Sequence, residues 1–157
     1  MKSNTPILKS LLNECSKHAF WMNSAYRKLQ SSLPITPDRV FKLDDQEVEH
    51  IDQYIFRFSK LQDAIGNKLF KSVLTELGEE VTDKSAIDIF NRMEQLGIIE
   101  NYEVWKEFRD IRNELAYDYE EDEHEAAEKI NLIISKKSDL EKYLNDIVNY
   151  LNTKKLI

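Results

Sequence analysis

Apolar residues recur at helical spacing along nearly the whole chain, and the breaks in that rhythm fall on proline, glycine or polar clusters. Ile7, Leu11, Leu12, Cys15, Ala19, Met22, Tyr26 and Leu29 mark a first helix from about Pro6 to Leu33. Pro34 and Pro37 end it, because proline lacks an amide N–H and pushes the preceding residue into an extended conformation. Asp44-Asp45-Gln46-Glu47 has the acceptor and the glutamate of a capping box and opens a second helix. Val48, Ile51, Ile55, Phe58, Leu61, Ile65, Leu69 and Val73 carry it to about Leu77, where Gly78 stops it. Gly66 lies inside this helix, at a cost of about 1 kcal/mol relative to alanine. Close approach of another backbone is the usual compensation, so a helix crossing is predicted there.

A short third helix, about Lys84 to Leu96, lies between Thr82 and Gly97, with Ala86, Ile89, Phe90 and Met93 as its apolar stripe. A fourth starts near Asn101. On it Val104, Phe108, Ile111 and Leu115 share one face, and Arg112 projects beside that face rather than opposite it. The acidic stretch Asp118, Glu120, Glu121, Asp122, Glu123, Glu125 and Glu128 reads as a solvated turn whose carboxylates favour the start of a fifth helix. That helix, about Asp122 to Leu151, turns Ile130, Ile133, Ile134, Leu140, Tyr143, Leu144, Ile147 and Leu151 inward, with a bend at Lys136-Lys137-Ser138-Asp139. The pattern predicts an all-α, antiparallel up-and-down bundle of about five helices. It forms one domain over 1–157, with a basic N-terminal helix and linker over 1–42 and a core bundle over 44–151.

Composition agrees with long helices: three glycines and three prolines punctuate 157 residues. A single cysteine, Cys15, excludes an intrachain disulfide and points to a reducing compartment. No apolar run approaches a membrane span, and the N-terminus lacks the long apolar stretch of a secretory signal, so a cytoplasmic protein with no membrane partner is expected. The net charge of −7 opposes strong nonspecific binding to phosphates. The charge is uneven, however. Residues 1–42 hold seven Lys or Arg against Glu14 and Asp38, a net of +5, which leaves −12 for the rest. Either two faces of a bundle are solvated differently, or the basic end meets an acidic surface or a phosphate backbone.

Most familiar chemistry is absent. There is no glycine-rich phosphate loop and no Ser/His/Asp arrangement. His18, His50 and His124 are scattered. His18 sits with Phe20 and Trp21, a cluster that reads as packing. Glu47 and His50 form one Glu-x-x-His unit, whereas a di-iron bundle needs two and further glutamates. No metal and no cofactor is therefore assigned.

The segment Arg112-Asn113-Glu114-Leu115-Ala116-Tyr117-Asp118-Tyr119 resembles the Arg-Asn-x-x-Ala-His-x-Tyr signature of HEPN proteins, in particular the HepT-like group that is paired in prokaryotes with minimal nucleotidyltransferases. It matches at the arginine, asparagine, alanine and final tyrosine, and departs at the histidine, where Tyr117 stands. Tyr54 to Asp63 is similar to the first long helix of that group, and the resemblance covers roughly residues 44 to 150.

The resemblance implies a metal-independent endoribonuclease with Arg112, Asn113 and Tyr117 as the catalytic set, supported by Asp63, Arg57 and Arg109. It also implies a homodimer with the motif at the two-fold interface, a cognate minimal nucleotidyltransferase as partner, RNA as substrate, and Tyr119 as the residue that receives adenylyl groups. Physically, an arginine would hold the scissile phosphate and offset charge building on it. Tyr117 is a poor substitute for histidine in proton transfer, because its unperturbed pKa is about 10. In one continuous helix Arg112 and Tyr117 point roughly 140° apart. They converge only if the helix ends near Ala116, or across a dimer. The plain alternative pairs Arg112 with a buried acid such as Asp63 and leaves the tyrosines in the core. Three functions stay open: a HepT-like toxin regulated by adenylylation, a catalytically inactive binding or antitoxin partner of the nucleotidyltransferase, and a helical oligomerisation domain.

Overall fold

The computed structural model describes residues 4–116 and 122–157. It is an all-α antiparallel bundle of five helical rods, with no strand among the described residues. The first rod is α1, Thr5–Leu29, closed by a 3-10 turn at Gln30–Ser32. The second comprises α2, Asp45–Asp63, a π-helical segment at Ala64–Leu69, and α3, Phe70–Glu76. α4, Ala86–Gln95, and α5, Tyr102–Ala116, follow. The last rod is α6, Glu123–Ser135, and α7, Lys137–Thr153, joined at Lys136.

The predicted caps form. The Asp44 carboxylate accepts from Glu47 N–H at 2.7 Å while Asp44 N–H donates to Glu47 Oε1 at 3.3 Å. Gly78 and Gly97 close their helices with φ of 83° and 73°, a region that only glycine enters without strain. Three details differ from the expectation. The first α-helix stops at Leu29, and the tighter 3-10 turn covers the remaining residues to Ser32. Ile7 and Val48, assigned to buried stripes, are exposed; Leu8 points inward on the first turns of α1 instead. The bend near 136–139 is a break at Lys136, whose backbone leaves the helical region.

α1 shares the core of the other rods rather than lying outside it. Leu8, Cys15, Met22, Ala25 and Leu29 are fully buried in the same cluster as Tyr54, Phe58, Phe108, Ile133 and Ile147. Burial pushes the Cys15 thiol up to about 12, so it packs as a small apolar residue. Polar ties fix the registers. The Tyr54 hydroxyl donates into the last turn of α6, 2.8 Å from the Ile133 carbonyl and 3.2 Å from that of Ile134, where the break at Lys136 interrupts the helical ladder. The Asn131 amide clamps the linker by both edges, accepting from Ile35 N–H and donating to Ile35 O, each at 2.8 Å. No helix among the described residues is long and apolar enough to cross a membrane.

Candidate functional site

α5 runs antiparallel to the second rod, and its placement depends on Gly66. A Cβ at that position would lie 2.8 Å from Trp105 Cζ2, well inside carbon–carbon contact. The crossing predicted at Gly66 therefore exists, but an indole ring rather than a second backbone fills the space. The helix also widens there: Phe70 N–H donates to Ile65 O, five residues back, over the π segment. Trp105 packs onto this widened turn from a nest of aromatic rings, with centroids of Phe70 and Tyr143 at 5.1 Å and of Phe108 at 5.7 Å.

Seven residues beyond Trp105, about two helical turns, Arg112 meets residues one to two turns before Gly66. Arg112 Nη1 lies 2.6 Å from Asp63 Oδ1, 3.2 Å from Gln62 Oε1 and 3.5 Å from the Ser59 carbonyl. One guanidinium edge thus faces three acceptors. The side chains of Arg112 and Asp63 are 30% and 45% exposed, while Gln62 is buried at 4%. Asp63 is the partner named in the plain alternative, but it is half in solvent rather than buried. A half-exposed pair of this kind is worth about 0–1 kcal/mol. It orients the arginine more than it stabilises the fold.

The other named residues are placed as follows. Asn113 is exposed, one position past Arg112. Arg109 is exposed on the α4 side, lining a small pocket with Ala86, Ile87, Tyr102 and Lys106. Arg57 faces α1, where its Nη1 lies 3.1 Å from His18 Nδ1. Tyr117 and Tyr119 lie outside the described residues. The structure thus brings Asp63 to Arg112 and directs Arg57 and Arg109 to other faces. Glu47, half of the one Glu-x-x-His unit, is engaged by the capping box and by Arg39 at 2.8 Å.

Asp63 also belongs to a second feature. Between α1 and the second rod lies a polar groove of about 260 Å³ lined by Glu14, His18, Lys60, Asp63, Ala64, Asn67 and Lys68. A guanidinium has only donors to offer, so His18 Nδ1 accepts from Arg57 and the neutral ring carries its proton on Nε2. Partial burial, with the Arg57 charge beside it, holds the His18 pKa below its ordinary value. Sequence reasoning read His18 as packing and missed Gln62, Trp105 and the His18–Arg57 pair. The apolar spacing of α5 pointed to Phe108 and Ile111. Nothing local marked Trp105 as the ring that would occupy the Gly66 notch, and 39 residues separate His18 from Arg57.

No family model, no curated protein and no solved structure matches this chain.

Proposed function

We propose that this chain is the HepT-like HEPN component of a prokaryotic toxin–antitoxin module. It acts on RNA as a metal-independent ribonuclease and is regulated by adenylylation from a cognate minimal nucleotidyltransferase. The observation that carries this reading is the setting of Arg112. It sits on the motif helix and is held half-buried by Asp63, Gln62 and the Ser59 carbonyl. Such an arginine is pre-oriented, yet its remaining N–H groups have no acceptor among the described residues and can meet a phosphate in the fork geometry that guanidinium offers. The working unit is a homodimer in which two motif helices face each other, so that Arg112 of one copy and Tyr117 of the other serve one substrate.

A second reading has its own support. Tyr117 stands where the motif has histidine, and the ordinary phenol pKa of about 10 suits proton transfer at neutral pH less well than an imidazole's. In that reading the chain binds the nucleotidyltransferase, or shields it, without cleaving RNA. Two assays separate the readings. Purified protein incubated with cellular RNA should produce fragments that Arg112→Ala abolishes and Tyr117→His increases. Absence of cleavage by wild type and by Tyr117→His, both folded, leaves the inactive partner. Incubation with ATP, Mg²⁺ and the nucleotidyltransferase should add adenylate to the peptide containing Tyr119. Labelling that survives Tyr119→Phe refutes that assignment.

A further inference from the structure

The α1 face of the second rod carries a set of groups that the motif helix does not use. We propose that the groove between α1 and the second rod binds a ribonucleotide unit of single-stranded RNA, with Arg57, Lys60 and His18 on the phosphate and Glu14 on the ribose.

The charge balance of the groove comes first. Two carboxylates line it, and each already has a cation: Glu14 Oε1 is 3.4 Å from Lys68, and Asp63 is 2.6 Å from Arg112. Arg57 and Lys60 have no carboxylate at ion-pair distance among the described residues. Arg57 touches a neutral imidazole, and both cations lie over the Phe56 ring, at 5.4 and 5.6 Å from its centroid. Two positive charges held beside one groove without an anion form a phosphate site in waiting. With Nδ1 occupied by Arg57, the His18 Nε2–H is a third donor.

A second observation is independent of charge. Glu14 Oε2 is buried and has no hydrogen-bond partner among the described residues. A buried carboxylate oxygen without a donor is costly, and the Glu14 side chain lines the groove at 37% exposure, so a small rotation that brings this oxygen to a ligand hydroxyl is favoured. A ligand with an anion for Arg57 and Lys60 and a hydroxyl for Glu14 has the chemistry of a ribonucleotide, and the 2′-hydroxyl is what separates RNA from DNA. Exposed aromatic rings occur on both helices: Phe56 lies under the two cations, and Trp21 follows His18 by one turn of α1. Phe56 is 52% exposed, and Trp21, 41% exposed, stands edge-on to Phe20 at 5.0 Å. The Trp21 carbonyl accepts from Gln53 at 3.4 Å, and Gln53 lies one turn before Phe56 on α2. Cations interleaved with exposed rings are what single strands bind, by phosphate contact and base stacking.

The inference shares the RNA ligand of the proposed function but uses a different site, so binding here can stand where cleavage fails. The test is fluorescence anisotropy of the full chain with a short labelled single-stranded oligoribonucleotide at low salt. Wild type should bind. Lys60→Glu and Phe56→Ala should each weaken binding roughly tenfold, with Lys60→Glu also lowering the salt dependence. Lys84→Glu, the same charge change ahead of α4, should leave binding unaltered. The DNA oligomer of the same sequence should bind more weakly, and Glu14→Gln should narrow that difference. Competition by a mononucleotide at lower concentration than the strand assigns the same groove to a free nucleotide. Equal losses in Lys60→Glu and Lys84→Glu, or no binding by folded wild type, overturn the proposal. Circular dichroism melts establish that each variant is folded.

Discussion

Gly66→Ala tests whether the Trp105 notch sets the position of α5. The added methyl would lie 2.8 Å from Trp105 Cζ2, against a comfortable carbon–carbon separation of about 3.5–4.0 Å. The ring must therefore retreat by about 0.7–1.2 Å. It has little room, because it is 7% exposed and enclosed by Phe70, Phe90, Phe108 and Tyr143. Overpacking of this kind costs about 1–3 kcal/mol. Alanine recovers about 0.4–1 kcal/mol, chiefly by restricting the unfolded chain. The net is a destabilisation centred on about 1.3 kcal/mol and no larger than about 2.6 kcal/mol, which for a chain of this size lowers Tm by roughly 4 °C at the centre. Urea denaturation followed by far-ultraviolet circular dichroism should show a lower midpoint with an unchanged slope. The decisive comparison is a double-mutant cycle. In a Trp105→Leu background the clash is gone, and Gly66→Ala should become stabilising by about 0.5 kcal/mol or more. Equal effects of Gly66→Ala in both backgrounds would refute the notch as the determinant of this crossing.

Tyr54→Phe removes a buried donor from the end of α6 and should cost about 1–3 kcal/mol in denaturant unfolding; a loss under 0.5 kcal/mol would mean that the carbonyls find other partners. Arg112→Ala should change stability by no more than about 1 kcal/mol, since its ion pair is half-exposed, while abolishing RNA cleavage; a large stability loss would return Arg112 to a structural role. For His18 the folded-state pKa lies below its ordinary value of 6.5, so the unfolded chain binds more protons. Its contribution to stability is therefore present above pH 6.5 and is lost as the pH falls from there toward the lowered folded value. Melts at pH 7.5 and pH 5 should show wild type losing more stability than His18→Gln on acidification, and parallel losses would contradict the Arg57 contact.

Phe56 and Trp21 illustrate why a helical stripe is legible in sequence and an exposed aromatic face is not. Core residues repeat every three to four positions because one helix face must leave water, and that demand is written locally. Ile51, Phe58, Leu61, Ile65 and Leu69 all lie where the periodicity placed them, as do Ile130, Ile133, Ile147 and Leu151. The caps at Asp44, Gly78 and Gly97 were equally local, since each depends on one residue and its own backbone. Ile7 and Val48 fit the same spacing yet lie exposed in the first turns of their helices.

The candidate site belongs to the other category. Arg112 was identified from its own segment, and Asp63 was named as a partner, but the geometry that joins them depends on Trp105 entering the Gly66 notch and on the π segment that begins one residue after Asp63. Neither feature has a signature within a few residues of Arg112. The contact between His18 and Arg57, and the groove with its unpartnered Glu14 oxygen, arise only when α1 lies antiparallel against α2. The sequence alone determined which residues leave water and where each helix begins and ends, because those choices are made within one or two turns. Which polar residues face one another was decided by the tertiary structure, because the packing of bulky rings sets the register between rods, and register acts between residues far apart in the chain.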